Sequence, residues 1–258
     1  MIIPIISGIN DYERFPSATL QGCVPDALHW QALLESHNIY SKPLINSEAT
    51  ELAIKTALED ARDILTTEYG RLEGQRYSHI ILYIQSSHGT DYVDASGITH
   101  QALCCYDFSG DDGRIEDVWL AAYAKSLPDY VLFIVISDAC HSGDLLRELI
   151  QARYLPFPDV SRRPDRSIDQ TLYDDGDRVG ILLAGCHKEQ TSADAFIDGE
   201  HQGAFSYFLI DALKKSWNLS YSRLALAASQ GLQDARYSQA PTCEGEPSDT
   251  ERIWLQVG

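Results

Sequence analysis

The chain has 258 residues, 44% of them hydrophobic, which is enough to bury a substantial core, and it carries 38 acidic against 20 basic residues for a formal net charge of −18. Such a charge repels phosphate backbones and anionic lipid, so no nucleic-acid and no membrane partner is expected. No apolar run approaches the roughly 20 residues needed to cross a bilayer, and the six cysteines include no C-x-x-C pair; a reduced, cytoplasmic protein is expected rather than a disulfide scaffold or a zinc module.

The apolar run 2–6 reads as a first buried strand. From Pro25, a favoured first helical position, a helical pattern runs through Leu28, Gln31 and Leu34. Ser47 reads as the N-cap of a second helix reaching Glu68, with Ile54, Leu58, Ala61 and Leu65 on one face and Gly70 beyond its end. The runs 80–84, 131–136 and 179–183 add three buried strands. Such strands alternating with helices imply an α/β fold, a mostly parallel central sheet with helices on both faces. The stretch 153–178, with Pro156, Pro158 and Pro164, lacks apolar periodicity and reads as a flexible linker loop within a single domain, 1–258.

Right-handed crossovers gather the strand C-termini along one sheet edge, where open α/β folds keep their sites. Two motifs end there: "SSHGT" (86–90) after the run 80–84, and "SDACHSG" (137–143) after the run 131–136. Nucleophilic catalysis by a thiol needs a thiolate, an imidazole to move protons and N–H donors for the oxyanion. Cys140, at a strand-to-helix junction that favours the thiolate, His88, and the N–H groups of Gly89 and Cys140 are the candidates. Taken singly, Cys140 is more simply an ordinary buried thiol and His88-Gly89 a turn. Their convergence on one edge, each beside glycine, favours the chemical reading.

These motifs resemble those of the caspase-like cysteine peptidases (clan CD), on the metacaspase and prokaryotic caspase-homologue branch. The histidine lies about 50 residues before the cysteine, as in the caspase signature, although Cys140 is followed by His141-Ser142-Gly143 and the animal caspase cysteine motif is not matched. The resemblance extends through "GINDY" (8–12), "LQGCVPDA" (20–27), "KPLINSEAT" (42–50), "GILLAGCHKEQTSADA" (180–195) and "GAFSYFLIDAL" (203–213). It implies a caspase-like three-layer sandwich with a large-subunit-like segment, 1–152, and a small-subunit-like segment, 179–258. By the same resemblance Cys140 is the nucleophile, His88 the general base and acid, and Asp26, Asp138, Ser86 and Cys23 line the pocket for the residue before the scissile bond. Two carboxylates there favour a guanidinium, so cleavage after Arg, then Lys, is expected. Each acid also has a plainer role, Asp26 as a first-turn helix acid and Asp138 as a capping residue.

Many metacaspases require calcium, held by a carboxylate cluster after the histidine segment. In the matching stretch, 96–120, His100 stands where the family carries an acid; Glu116 and Asp117 fall near the paired-acid position, with Asp107, Asp111 and Asp112 as alternative oxygen donors. Calcium takes about six to eight oxygens, so no required cofactor is expected, with calcium at Glu116 and Asp117 as the open alternative. The linker carries Arg153, Arg162, Arg163, Arg166 and Arg178. Self-cleavage would fall first at Arg166-Ser167 or Arg162-Arg163, the bond before Pro164 being disfavoured. The resemblance implies protein or peptide substrates with exposed Arg or Lys, an upstream activator, and regulated proteolysis in stress, cell death or prokaryotic defence. A catalytically silent scaffold and a small-molecule hydrolase or transferase are the alternatives. Retention of both Cys140 and His88 weighs against the first and the two acids against the second.

Overall fold

In the computed structural model, which describes residues 1–139, 151–152, 180–185 and 193–257, six strands form the main sheet. They are β1 (Ile2–Gly8), β2 (Leu44–Ile45), β3 (His79–Ser86), β7 (Val131–Asp138), β9 (Ile181–Ala184) and β12 (Thr242–Glu244), in spatial order β12-β9-β7-β3-β1-β2. All neighbours are parallel except β12, which runs antiparallel to β9. Every residue of β3 and β7 is buried, which is why both read as unbroken apolar runs rather than as alternating patterns. Pro4 is tolerated inside β1 because its carbonyl faces the β2 side, accepting from Ser41 Oγ, and the β2 ladder begins only at Ser7.

The period of two in these strands divides the core into two layers. Ile5, Ile81, Tyr83, Phe133 and Val135 pack against α2 (Glu51–Thr67) and α3 (Asp117–Ser126). Ile6, Ile80, Leu82, Ile84, Leu132, Ile134 and Ile136 pack on the other side, with α1 (Cys23–Glu35), α4 (Ala204–Lys215) and α5 (Tyr221–Asp234). A short helix, α6 (Pro247–Thr250), lies near the end of the chain. The expected α2 face of Ile54, Leu58, Ala61 and Leu65 is buried, and truncating Leu58 to Ala would cost about 2–5 kcal/mol.

Two boundaries differ from expectation. Ser47 lies in a short 3-10 turn, Asn46–Glu48, and the N-cap of α2 is Thr50, whose hydroxyl accepts from Ala53 N at 3.2 Å. Helix α1 begins at Cys23, so Pro25 is its third residue. Its inner face is Ala27, Trp30, Leu33 and Leu34, while Leu28 is exposed.

Two smaller antiparallel sheets flank the main one. Strands β4 (Gly89–Val93), β5 (Thr99–Cys104) and β6 (Arg114–Glu116) form the first, and β8 (Gln151–Ala152), β10 (Ala193–Ile197) and β11 (Glu200–Gly203) the second. No helix among the described residues is long and apolar enough to cross a membrane. The linker 153–178, with Arg162 and Arg166, lies outside the described residues.

Candidate active site

The C-terminal ends of the central strands are level: Gly8 pairs with Ser86, and Ser86 with Asp138. The stretch 86–90 and the described start of the second motif, 137–139, therefore share one sheet edge. Cys140 follows two residues after Asp138 in sequence and lies outside the described residues, so its distance to His88 and its oxyanion N–H do as well.

His88 stands where the chain leaves β3 and turns into β4, and it is only 3% exposed. Its backbone is fixed from both sides. The N–H donates to Tyr12 Oη at 2.7 Å, and the carbonyl accepts from Cys104 N at 2.9 Å and Ser87 Oγ at 2.9 Å. Gln85 supports this turn, donating from Nε2 to Ser87 Oγ and to the Cys104 carbonyl while Tyr83 donates to its Oε1. The imidazole lies 5.1 Å from the Tyr12 ring, and its Nε2 meets the Ala18 carbonyl at 2.7 Å. A carbonyl only accepts, so Nε2 carries the proton and Nδ1 is the basic nitrogen of the neutral ring. Gly89 follows at the start of β4, paired with Leu103.

The two acids expected in the substrate pocket are both 1% exposed and meet at one place, the N-terminus of α4. Asp26 Oδ1 accepts from Gly203 N, the N-cap residue, at 2.8 Å, and Asp138 Oδ2 accepts from Ser206 N in the first turn at 3.0 Å. The capping role weighed for Asp138 is thus present, and Asp26 serves α4 as well as sitting in the first turn of α1. Orphan N–H groups and the positive end of the helix dipole make burial of two carboxylates tolerable there without a bound cation. Ser86 lies level with Asp138, and its buried hydroxyl has no hydrogen-bond partner among the described residues. The same holds for Ser206 Oγ, a residue that sequence reasoning did not single out. Cys23, fully buried, is the first residue of α1, its N–H held by Asn10 Oδ1 at 2.9 Å.

The calcium candidates are engaged otherwise. Glu116 is paired with Arg114 at 3.0 Å. Asp117 accepts from Gln101 N at 3.1 Å and Val118 N at 2.7 Å. His100 stands between two carboxylates, Nε2 3.2 Å from Asp94 and Nδ1 3.5 Å from Asp117, with its ring stacked on Tyr92. Asp107 accepts from Glu51 N at 2.9 Å. Among the described residues no group of three or more His, Cys, Asp or Glu side chains is arranged to hold a metal.

Residues 4–148 match the model of the metacaspase, peptidase C14 domain. The chain belongs to the metacaspase family. It is 22% identical to metacaspase-1 of Pyricularia oryzae over 97% of this chain and 73% of that one, and 24% identical to metacaspase-3 of Trypanosoma brucei brucei over 91% and 68%. Metacaspase-1 of Arabidopsis thaliana is 26% identical over 82% of this chain and 59% of its own length. Among solved structures, protein GSU0716 from Geobacter sulfurreducens superposes with a TM-score of 0.71 at 20% identity, covering 99% of this chain and 98% of that one. Caspase-1 from Spodoptera frugiperda superposes with a TM-score of 0.59 at 11% identity, covering 99% and 88%. The fold is therefore caspase-like, and this metacaspase is a cysteine-type endopeptidase, a hydrolase acting on protein substrates.

Proposed function

We propose that this metacaspase cleaves after Arg, and less well after Lys, with Cys140 as nucleophile and His88 as its proton carrier, and that it does so without calcium. In the reaction His88 Nδ1 takes the Cys140 thiol proton as Sγ attacks the substrate carbonyl carbon. The developing oxyanion is met by N–H groups, for which Gly89 and Cys140 are the candidates. The carbon–nitrogen bond breaks as Nδ1–H protonates the leaving amine, and water, deprotonated by the same nitrogen, hydrolyses the thioester. The Ala18 carbonyl on Nε2 supports this role, because it fixes the tautomer and steadies the imidazolium formed midway.

The observation that carries the specificity is the meeting of Asp26 and Asp138, from separate motifs, at one helix N-terminus beside the level of Ser86. An arginine side chain gains charge-assisted hydrogen bonds from paired carboxylates, and its planar fork suits them better than an ammonium does. Independence from calcium is supported by His100 between Asp94 and Asp117 and by the pairing of Glu116 with Arg114. Activation by an upstream partner and cleavage at Arg166 or Arg162 belong to the same reading, as does a place in regulated proteolysis.

The test is hydrolysis of matched fluorogenic peptides ending in Arg, Lys or Asp by wild type and Cys140→Ala, with calcium and with chelator, followed by a denaturing gel. Cleavage after Arg that disappears in the variant and survives chelation is expected. Cleavage after Asp would overturn the pocket, and activity in Cys140→Ala would overturn the nucleophile.

A further inference from the structure

The start of α1 is held by side chains from elsewhere in the chain. Four successive N–H groups find acceptors: Asp194 takes Gln21 N on Oδ2 and Gly22 N on Oδ1, each at 2.8 Å, and Asn10 Oδ1 takes Cys23 N at 2.9 Å and Val24 N at 3.1 Å. Asp194 is 8% exposed and belongs to β10. A Cβ on Gly22 would lie 2.3 Å from Asp194 Oδ1 and 2.7 Å from Gln202 Cα, so glycine is what admits the carboxylate. Across the β10–β11 ladder Asp194 faces Gly203, whose N–H donates to Asp26 Oδ1. Asp26 N in turn donates to the Gly22 carbonyl at 2.9 Å.

These contacts close into a ring. Asp194 grips Gly22, the first turn of α1 joins Gly22 to Asp26, Asp26 grips Gly203, and the ladder joins Gly203 back to Asp194.

We propose that Asp194 is a positioning residue for substrate specificity, fixing the depth and direction of the Asp26 carboxylate by clamping the start of α1. This rests on the pocket reading given above. Asp194 spends both oxygens on backbone N–H groups, so it acts on arginine through Asp26 and not directly. Its two carboxylate oxygens suit two adjacent donors, whereas alanine would leave both without their side-chain acceptor at the helix start. Any tilt of that first turn moves Asp26, which lies one turn on from Gly22 and donates its N–H to the Gly22 carbonyl.

The experiment compares wild type, Asp194→Ala, Asp194→Asn and Asp26→Asn on matched Arg and Lys peptides. Agmatine serves as a competitive guanidinium probe, and thermal denaturation checks folding. For Asp194→Ala, KM for the Arg peptide and Ki for agmatine should rise about tenfold or more, kcat should change by less than about threefold, and the preference for Arg over Lys should narrow. Asp194→Asn keeps one acceptor and should fall between. A folded Asp194→Ala with unchanged KM and Ki, or with kcat alone reduced, overturns the proposal. Should Asp194→Ala not fold, unchanged KM and Ki in Asp194→Asn overturn it equally. Arg preference lost in Asp26→Asn but intact in both Asp194 variants refutes only the positioning role, whereas preference intact in Asp26→Asn refutes the pocket itself.

Discussion

Replacing Tyr12 by Phe removes a single oxygen from beside the proposed base. The ring, 2% exposed and 5.1 Å from the His88 imidazole, keeps its volume and its packing. What is lost is the acceptor of His88 N at 2.7 Å. Burial, together with the neighbouring thiols, pushes the Tyr12 phenol well above its ordinary value, so the hydroxyl stays neutral at every working pH. A buried N–H left without its partner costs about 1–3 kcal/mol. For a chain of this size that is a fall in Tm of about 2–12 °C. With one of the bonds that fix the His88 backbone lost, the imidazole shifts, and kcat should fall about tenfold, because small misplacements of a catalytic group are costly. Tyr123→Phe is the control: its hydroxyl donates to the Leu58 carbonyl in the α2 layer, away from the site, so stability should fall while kcat holds. The assay is thermal denaturation beside Arg-peptide kinetics. Tyr12→Phe with unchanged Tm and kcat, or Tyr123→Phe losing as much kcat, would refute the reasoning.

Burial raises the Glu51 carboxyl pKa, but the Lys55 ammonium and the N–H groups of Gly113 and Arg114 outweigh it and the net shift is downward from 4.5. A folded value below the unfolded one stabilises above about pH 4.5 and is lost as pH falls through the folded value, so Glu51→Gln should cost about 1–2 kcal/mol at neutral pH. Its Tm gap to wild type, followed from pH 7 downwards, should close below that point; a constant gap would refute it. Burial pushes the Cys104 and Cys105 thiols well up, so iodoacetamide should modify neither in the native protein and both in denaturant, as read by mass spectrometry. Chelation should leave activity unchanged, whereas His100→Asp, setting three carboxylates together, should lower Tm and recover it with added calcium. Recovery of the wild type by calcium would overturn that account.

What was legible in the sequence was what leaves a periodic or compositional trace. Buried parallel strands must be apolar on both faces, and the runs around Ile80 and Val131 could be read as such. The α2 face was visible because four small and aliphatic side chains recur at helical spacing, while its cap was misplaced because Ser47 and Thr50 carry the same signal and only the intervening 3-10 turn decides between them. Strands β4 to β6 left no such trace, being short and burying Thr90, Asp91 and Gln101. The histidine and the two acids could be singled out in their motifs, whereas their supports could not. Ala18 contributes a carbonyl that any residue would supply, and Asp194 and Ser206 meet α1 and β7 only through contacts distant in sequence.

The main sheet ends in β2, two residues long, and β12, three residues long. Each is entered through a proline, Pro43 and Pro241, which has no N–H to offer. An open sheet is ordinarily a template on which a second copy, or a misfolded chain, can zip by backbone pairing. Here the exposed rails are shorter than a typical strand and begin with a missing rung, so growth of the sheet from either side is starved of bonds. The fold thereby carries its own guard against amyloid-like stacking.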